Sequence, residues 1–357
     1  MMDFDRLERS VWNVLRDEKR PIALYGMGDG ADKVLNEFEA RGIRAAAVFA
    51  SDGFVRGHSF RGFPVETLSG VTERLSENIV IVICFASQRP ELLRRFTDLD
   101  ARYDVFAPDV PVVPGPVFDA AFARQNQAAM ARAYELLADE RSRQVFLDTV
   151  RFKLSGRLRY LFGCETEKAE AFENLLCLGE NEHFADLGAY TGDTVREFLH
   201  HTKGRYASIT ALEPDARSFR KLSAYAAENL TGEIHLVQAG AWREDTTLTF
   251  AAKAGRQSRV ARDGVKTEMR ALDSVLNGAP CTYLKMDVEG AERQAIAGAR
   301  ETIRRFGPAL NIAAYHTSAD FFELPLLIHE MNPAYRLYLR HHPYVPAWDT
   351  NLYAAAR

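Results

Sequence analysis

The residues with chemical capacity in this chain stand at the ends of apolar runs. Phe184-Ala-Asp-Leu-Gly-Ala-Tyr-Thr-Gly-Asp-Thr194 is a short apolar run carrying Asp186, with turns at Gly188 and Gly192 before a helix-like stretch. A carboxylate at a strand end can hydrogen-bond an amine or a sugar hydroxyl. A glycine, lacking Cβ, lets the backbone approach a ligand closely. Ile209-Thr-Ala-Leu-Glu-Pro214 is a second such run, ending in Glu213. An acid after the second strand of a βαβ unit is where a ribose diol is gripped, so the pair reads as a nucleoside-binding half-site. Further runs end in Asp287 with Glu289, in His316, and in His341 with His342. Ligands of an open parallel sheet bind at the carboxyl ends of its strands, so these sequence-distant groups should share one rim.

Such a rim can move a proton. His316 is the first candidate for a general base, because an imidazole can be neutral near pH 7. Asp287 and Glu289 are alternatives, and either could orient His316. Lys285 shares a strand face with Asp287, so the two could simply pair. Asp287, Glu289, His316 and His342 could instead hold magnesium, manganese or zinc. No compact metal motif spaces them, so no residue is assigned as a metal ligand. Bland roles exist beside these. A histidine after a strand is commonly a structural hydrogen-bonder. Glu292 suits the amino end of a helix. Asp273, in Arg270-Ala-Leu-Asp-Ser274, suits an N-cap of the helix that follows it.

The elements that must position these groups fall into three segments. Residues 1–115 alternate strands and helices as a small Rossmann-like domain. A polar amphipathic helix over 1–20 precedes strands at Pro21–Gly26, Ala45–Phe49 and Ile79–Phe85. The last is apolar on both faces, as a central parallel strand should be. Pro108, Pro111, Pro114 and Pro116 then break regular structure. Residues 116–180 show helical spacing at Ala120–Leu137, Glu140–Leu154 and Glu165–Leu176, and read as a connector or cap. Residues 181–357 form a second α/β domain. Its strands are expected at His183–Leu187, Ser208–Glu213, Ile234–Ala239, Thr282–Asp287, Leu310–Tyr315, Tyr335–Leu339 and Asn351–Ala354. Only a loop with Pro343 and Pro346 separates the last two, which predicts an antiparallel pair.

Four motifs in order carry a resemblance over about residues 165–357. They are Asp186–Thr194, Leu212-Glu-Pro-Asp215, Leu284-Lys-Met-Asp-Val-Glu-Gly-Ala-Glu292 and Tyr315-His316. Together they resemble the FkbM-type methyltransferases, which use S-adenosylmethionine. Tyr338–His342 followed by Asp349–Tyr353 is similar to that family's closing hairpin, with Asp349 where Glu is expected. The resemblance implies a class I methyltransferase fold: a doubly wound α/β sheet of seven strands with an antiparallel last strand. It implies O-methylation of a hydroxyl on a sugar, a glycan precursor or a natural product. It places Gly188, Ala189, Tyr190, Thr191 and Gly192 around the methionine part of the cofactor, with Asp186 below that loop. It places Glu213 on the ribose, and Gly240 and Ala241 near the adenine.

The first segment lies outside that resemblance. Gly26-Met-Gly28-Asp-Gly30-Ala31 is similar to a dinucleotide fingerprint, with Asp52 after the second strand. Gly57–Val65 resembles the amino-terminal domains of sugar acyltransferases. A bare scaffold and a site for a nucleotide or nucleotide-sugar both remain open, as does an NAD(P)-dependent oxidoreductase built on this domain. A non-catalytic cofactor-binding protein of a glycan pathway is the third reading. Whichever holds, methyl transfer is expected away from the first domain's glycine turn.

Composition narrows the rest. At 357 residues, 47% hydrophobic and 26% charged, the chain suits a globular protein with a large core. A net charge of -4 gives no reason to expect nucleic-acid binding, and Arg300, Arg304 and Arg305 read as one solvated helix face. There is no apolar run of membrane-spanning length. The charged start and four widely spaced cysteines fit reduced thiols in the cytoplasm. Oligomeric state is left open.

Overall fold

A computed structural model describes residues 9–55, 57–250 and 264–356. Its first sheet contains β1 (Ile22–Tyr25), β2 (Ala47–Phe49), β3 (Ser59–Phe60), β4 (Phe63–Glu66), β5 (Val80–Ile83) and β6 (Asp104–Phe106), in the order β3-β4-β2-β1-β5-β6. All pairings are parallel except the β3–β4 hairpin. The strand order reverses at β1, which pairs with both β2 and β5. Every residue of β1 and β5 is buried. One face packs Tyr25, Phe49 and Ile83 on Phe96, and the other packs Leu24, Val48 and Val82 on Trp12 and Phe38. The expected first helix is present over Val11–Asp17; residues 1–8 of that expectation lie outside the described residues.

The second sheet contains β7 (His183–Leu187), β8 (Ser208–Leu212), β9 (Glu233–Val237), β13 (Tyr283–Met286), β14 (Ala309–Ala313), β15 (Tyr335–His341) and β16 (Thr350–Ala356). Its order is β15-β16-β14-β13-β7-β8-β9, and β16 runs antiparallel between β14 and β15. All seven strands read from the sequence are therefore present, including the antiparallel closing pair. Alternation along β13 divides two cores. Leu284 and Met286 join Phe146 and Phe321 on one face, and Tyr283 joins Phe172, Phe184 and Phe198 on the other. A small third sheet, β10 (Gly240–Ala241), β12 (Val265–Arg270) and β11 (Thr246–Phe250), was not anticipated. Its strands are short or largely polar, so hydrophobic patterning does not reveal them.

The segment between the sheets packs against both of them. Helices Ala120–Gln125 and Gln127–Leu136 pack toward helix Asp320–Met331 on one face of the second sheet, with Phe118, just before them, against Phe321 and Phe122 against Phe322. Helix Glu140–Ser155 starts on an Asp139 cap and ends at Gly156, whose φ of 66° needs no Cβ to be accommodated. It spans both units: Val145, Phe146, Val150 and Leu154 lie in the second core, and Phe152 in the first. The proline-rich stretch is likewise anchored. Asp109 pairs with Lys153 at 2.7 Å, both almost fully buried. Removing one partner of such a buried pair typically costs about 3–5 kcal/mol.

Candidate active site

Asp186 is fully buried within β7 rather than open to a ligand. Thr194 Oγ1 donates to its Oδ2, and Lys285 Nζ lies 3.3 Å from its Oδ1. Asp186 and Lys285 are register partners on β7 and β13, which explains why Lys285 turns to Asp186 and not to Asp287 as the strand face suggested. Lys285 also donates to the Gly188 carbonyl at 3.0 Å. Through Lys285 the acid is thus tied to the turn.

The glycines of that turn serve packing. A Cβ on Gly188 would collide with the Asp287 carbonyl, and its φ is +90°. A Cβ on Gly192 would stand 2.9 Å from Tyr225. Close approach is required by neighbouring protein, a reason the sequence could not distinguish from close approach to a ligand. Ala189 is buried, while Tyr190 is half exposed at φ 47°. Thr191 is half-buried and Gly192 precedes helix Asp193–His201.

Glu213 follows β8 and accepts the Tyr190 and Asp215 amides, each at 2.8 Å. Burial raises its pKa above the ordinary carboxylate value, against those two amides. Each carboxylate oxygen keeps a lone pair for a further donor. Gly240 and Ala241 are buried in β10, and Gly240 faces Pro214, so the third sheet brings them beside the Glu213 turn. Met269 packs where a Gly240 Cβ would be, at 2.7 Å.

Asp287 immediately follows β13, and Glu289 lies in the next turn with φ 53°. His316, three residues beyond β14, has a 2% exposed side chain. Its Nε2 lies 3.3 Å from Asp287 Oδ1 and 3.8 Å from Glu289 Oε2. Its Nδ1 lies 2.9 Å from Glu292 Oε1, off the line of a hydrogen bond. Tyr315 donates to Asp287 Oδ2 at 3.2 Å. Burial alone would lower the His316 pKa, but Glu292, then Asp287 and Glu289, outweigh it and raise it to about 10. The neutral imidazole expected near pH 7 is therefore not what these surroundings produce. Glu292 does begin a helix, as read, but is buried against His316 and accepts the Val288 amide at 3.0 Å.

Two rim expectations and one capping expectation are corrected. His342 donates or accepts at both ring nitrogens, to Thr166 O at 2.7 Å and Tyr353 Oη at 2.8 Å, so it has no nitrogen left for a metal. His341 is buried against Thr350 at 3.0 Å. Asp273 lies inside helix Leu272–Leu276 and caps a different helix, Arg300–Phe306, through the Glu301 and Thr302 amides.

A cavity of about 590 Å³ opens where the groups converge. Asp193 and Thr194 border it from the helix that follows the turn, and Lys285, Asp287, Glu289, Tyr315 and His316 from the strand ends. Lys168 and Asp349, paired at 3.1 Å, close another side with Tyr344 and Trp348. The first domain supplies Asp29, Gln88 and Val112. That contribution is held by contact between the two rims: Ser87 and Val345 exchange backbone hydrogen bonds at 2.8 and 3.0 Å, and Val113 donates to the His316 carbonyl at 3.2 Å. From residues 116–180 the cavity takes only Lys168. The first domain's own glycine turn is packed in part. A Cβ on Gly30 would strike the Cys84 carbonyl, one on Gly26 would meet Phe85 at 2.9 Å, and Gly28 faces open space. Asp52 is exposed in a short turn after β2.

The strand order and the antiparallel last strand define a class I methyltransferase fold. Residues 186–346 match the family model of the methyltransferase FkbM domain. A crystal structure of methyltransferase FkbM from Methylobacillus flagellatus is similar over 98% of this chain and 94% of its own, at TM-score 0.74 and 24% identity. That likeness extends the shared fold to the first domain. An rRNA methylase of Streptococcus thermophilus matches over 50% of this chain and 89% of its own, at TM-score 0.35 and 14% identity. Fibrillarin of Aeropyrum pernix, solved with bound S-adenosylmethionine, matches over 53% and 71%, at 0.34 and 14%. No curated protein matches the chain. Among the described residues no helix is long and apolar enough to cross a membrane.

Proposed function

We propose that this protein is an S-adenosylmethionine-dependent O-methyltransferase acting on a hydroxyl of a sugar, a glycan precursor or a natural product. The observation that carries the reading is the shared wall. The helix leaving the Gly188–Gly192 turn and the Asp287–Glu289–His316 group border one cavity large enough for a small acceptor. When bound, the cofactor supplies an electrophilic methyl group on a cationic sulfur. The main chain of Gly188–Gly192 would cradle its methionine part, Glu213 the ribose, and Gly240 with Ala241 the adenine. As the new C–O bond forms and the C–S bond breaks, the bonding pair stays on sulfur and the hydroxyl proton must leave. Asp287 and Glu289 are the partly exposed carboxylates facing that hydroxyl, with 36% and 40% of their side chains accessible. His316, carrying a proton in these surroundings, partners them and is not itself the base. Positioning in the cavity provides the larger share of the acceleration.

Calorimetric titration with S-adenosylmethionine and with NAD(H), followed by turnover against a pool of hydroxylated acceptors, tests the reading. Binding of S-adenosylmethionine alone, and a mass increase of one methyl group in an acceptor, are expected. Binding of NAD(H) alone would favour an oxidoreductase on the first domain, and cofactor binding with no turnover against any acceptor would favour a non-catalytic protein.

A further inference from the structure

Asp287, Glu289 and His316 do more than border the cavity. Their ligand atoms all lie within 4.8 Å of one another. In octahedral coordination with bonds of about 2.1 Å, neighbouring ligand atoms are about 3 Å apart and opposite ones about 4.2 Å. The His316 distances of 3.3 Å to Asp287 and 3.8 Å to Glu289 fall in that interval. His316 is almost wholly buried, and its Nε2 faces Asp287 and Glu289 on a residue that lines the cavity. The supporting shell has the pattern of a metal centre. Glu292 stands 2.9 Å behind Nδ1, within reach of the contact by which a carboxylate fixes the tautomer of a ligating histidine, and Tyr315 orients Asp287.

Charge points the same way. Glu292 Oε2 is buried without a hydrogen bond, and Asp320 is buried within reach of the same imidazole. Asp287, Glu289, Glu292 and Asp320 thus surround one histidine. Lys285, which borders the same cavity, is engaged by Asp186 and the Gly188 carbonyl. Gathering carboxylates around one buried imidazole is costly, and a cation among them offsets that cost.

We propose that Asp287, Glu289 and His316 bind a divalent cation of the Mn²⁺ type, with its remaining coordination positions open to the cavity. Two carboxylates and one imidazole suit manganese better than magnesium, which prefers oxygen alone. Bound there, Nε2 gives up its proton and ligates, and Nδ1–H turns to Glu292. The ion would hold and polarise an acceptor oxygen. That last role rests on the methyl-transfer reading, whereas ion binding does not. The first domain and His342 take no part.

The test is titration of the metal-free full-length protein with Mn²⁺, followed by electron paramagnetic resonance and calorimetry, with neither cofactor nor acceptor present. One site filling below about 1 mM is expected. His316→Ala should weaken it at least about a hundredfold. Glu289→Gln, at a half-exposed position that tolerates change, should weaken it at least about tenfold. Glu213→Ala should leave Mn²⁺ affinity within about twofold while weakening S-adenosylmethionine, which separates this proposal from the cofactor assignment. Absence of saturable binding in the parent protein, or unchanged affinity in a folded Glu289→Gln variant, overturns the site.

Discussion

Glu213 shows how much a single residue discloses in sequence. An acid ending the second strand of a nucleoside-binding unit has a predictable place, and the fold puts it on the rim beside the glycine turn. Its two amide partners hold it in position with lone pairs to spare. Glu213→Ala should weaken S-adenosylmethionine binding by about 1–3 kcal/mol through lost ribose hydrogen bonds. Calorimetry checks this, and unchanged affinity with the fold intact removes Glu213 from the site. His341 behaves differently, because its place in the core could not be read from its type. Burial, then neighbouring His342, depresses its pKa to about 3. The unfolded chain binds a proton near pH 6.5 that the native state refuses, so the neutral imidazole's contribution is complete above that pH and fades as pH falls toward 3. Relative to His341→Gln, the parent protein should lose about 1.4 kcal/mol per pH unit below 6.5. Urea unfolding of both at pH 7 and pH 5 measures it; a constant difference between the two would mean that His341 is not protonated on unfolding.

At the scale of elements, strands were more legible than helix ends. The central strands β7, β8 and β13 of the second sheet are short, largely apolar runs, and burial enforces that pattern. Helix boundaries depend on which partner satisfies the end groups, and such a partner can come from far away in sequence. Asp273 is the clearest case. It has the residue type of a cap for its own helix, but its carboxylate receives the amides of Glu301 and Thr302 and the Thr302 hydroxyl. Asp273→Ala should cost about 1–2 kcal/mol, at the upper end of cap removals, since three donors lose their acceptor. Its effect should appear as faster hydrogen exchange in Arg300–Phe306. Unchanged exchange there would show that water replaces the carboxylate at no cost.

At the scale of the whole molecule, the segments separated by sequence reasoning are mechanically joined. Helix Glu140–Ser155 contributes to both cores, Asp109 is locked to Lys153, and the rims meet at Ser87 and Val345. A fragment of residues 181–357 would expose the surface that Phe146, Val150 and Leu154 cover. It should fail to unfold cooperatively, whereas the full chain should do so; circular dichroism melts decide this. A fragment with a sharp transition and native cofactor affinity would mean that the interface is dispensable.

The sequence by itself determined the α/β class, the seven-stranded sheet with its antiparallel closing strand, and the order of acids and histidines along it. These follow from local periodicity, which burial on one or two faces imposes strand by strand. It did not determine which groups reach the cavity. Asp186 and His342 turn inward while Asp287 and Glu289 stay open, because strand register and packing set side-chain partners across more than a hundred residues. Nor could it show that the first domain walls the cavity. The proline-rich stretch reads as a break in regular structure, and only the packed rims, with Val112 and Gln88 brought to the second sheet's strand ends, make it part of the site.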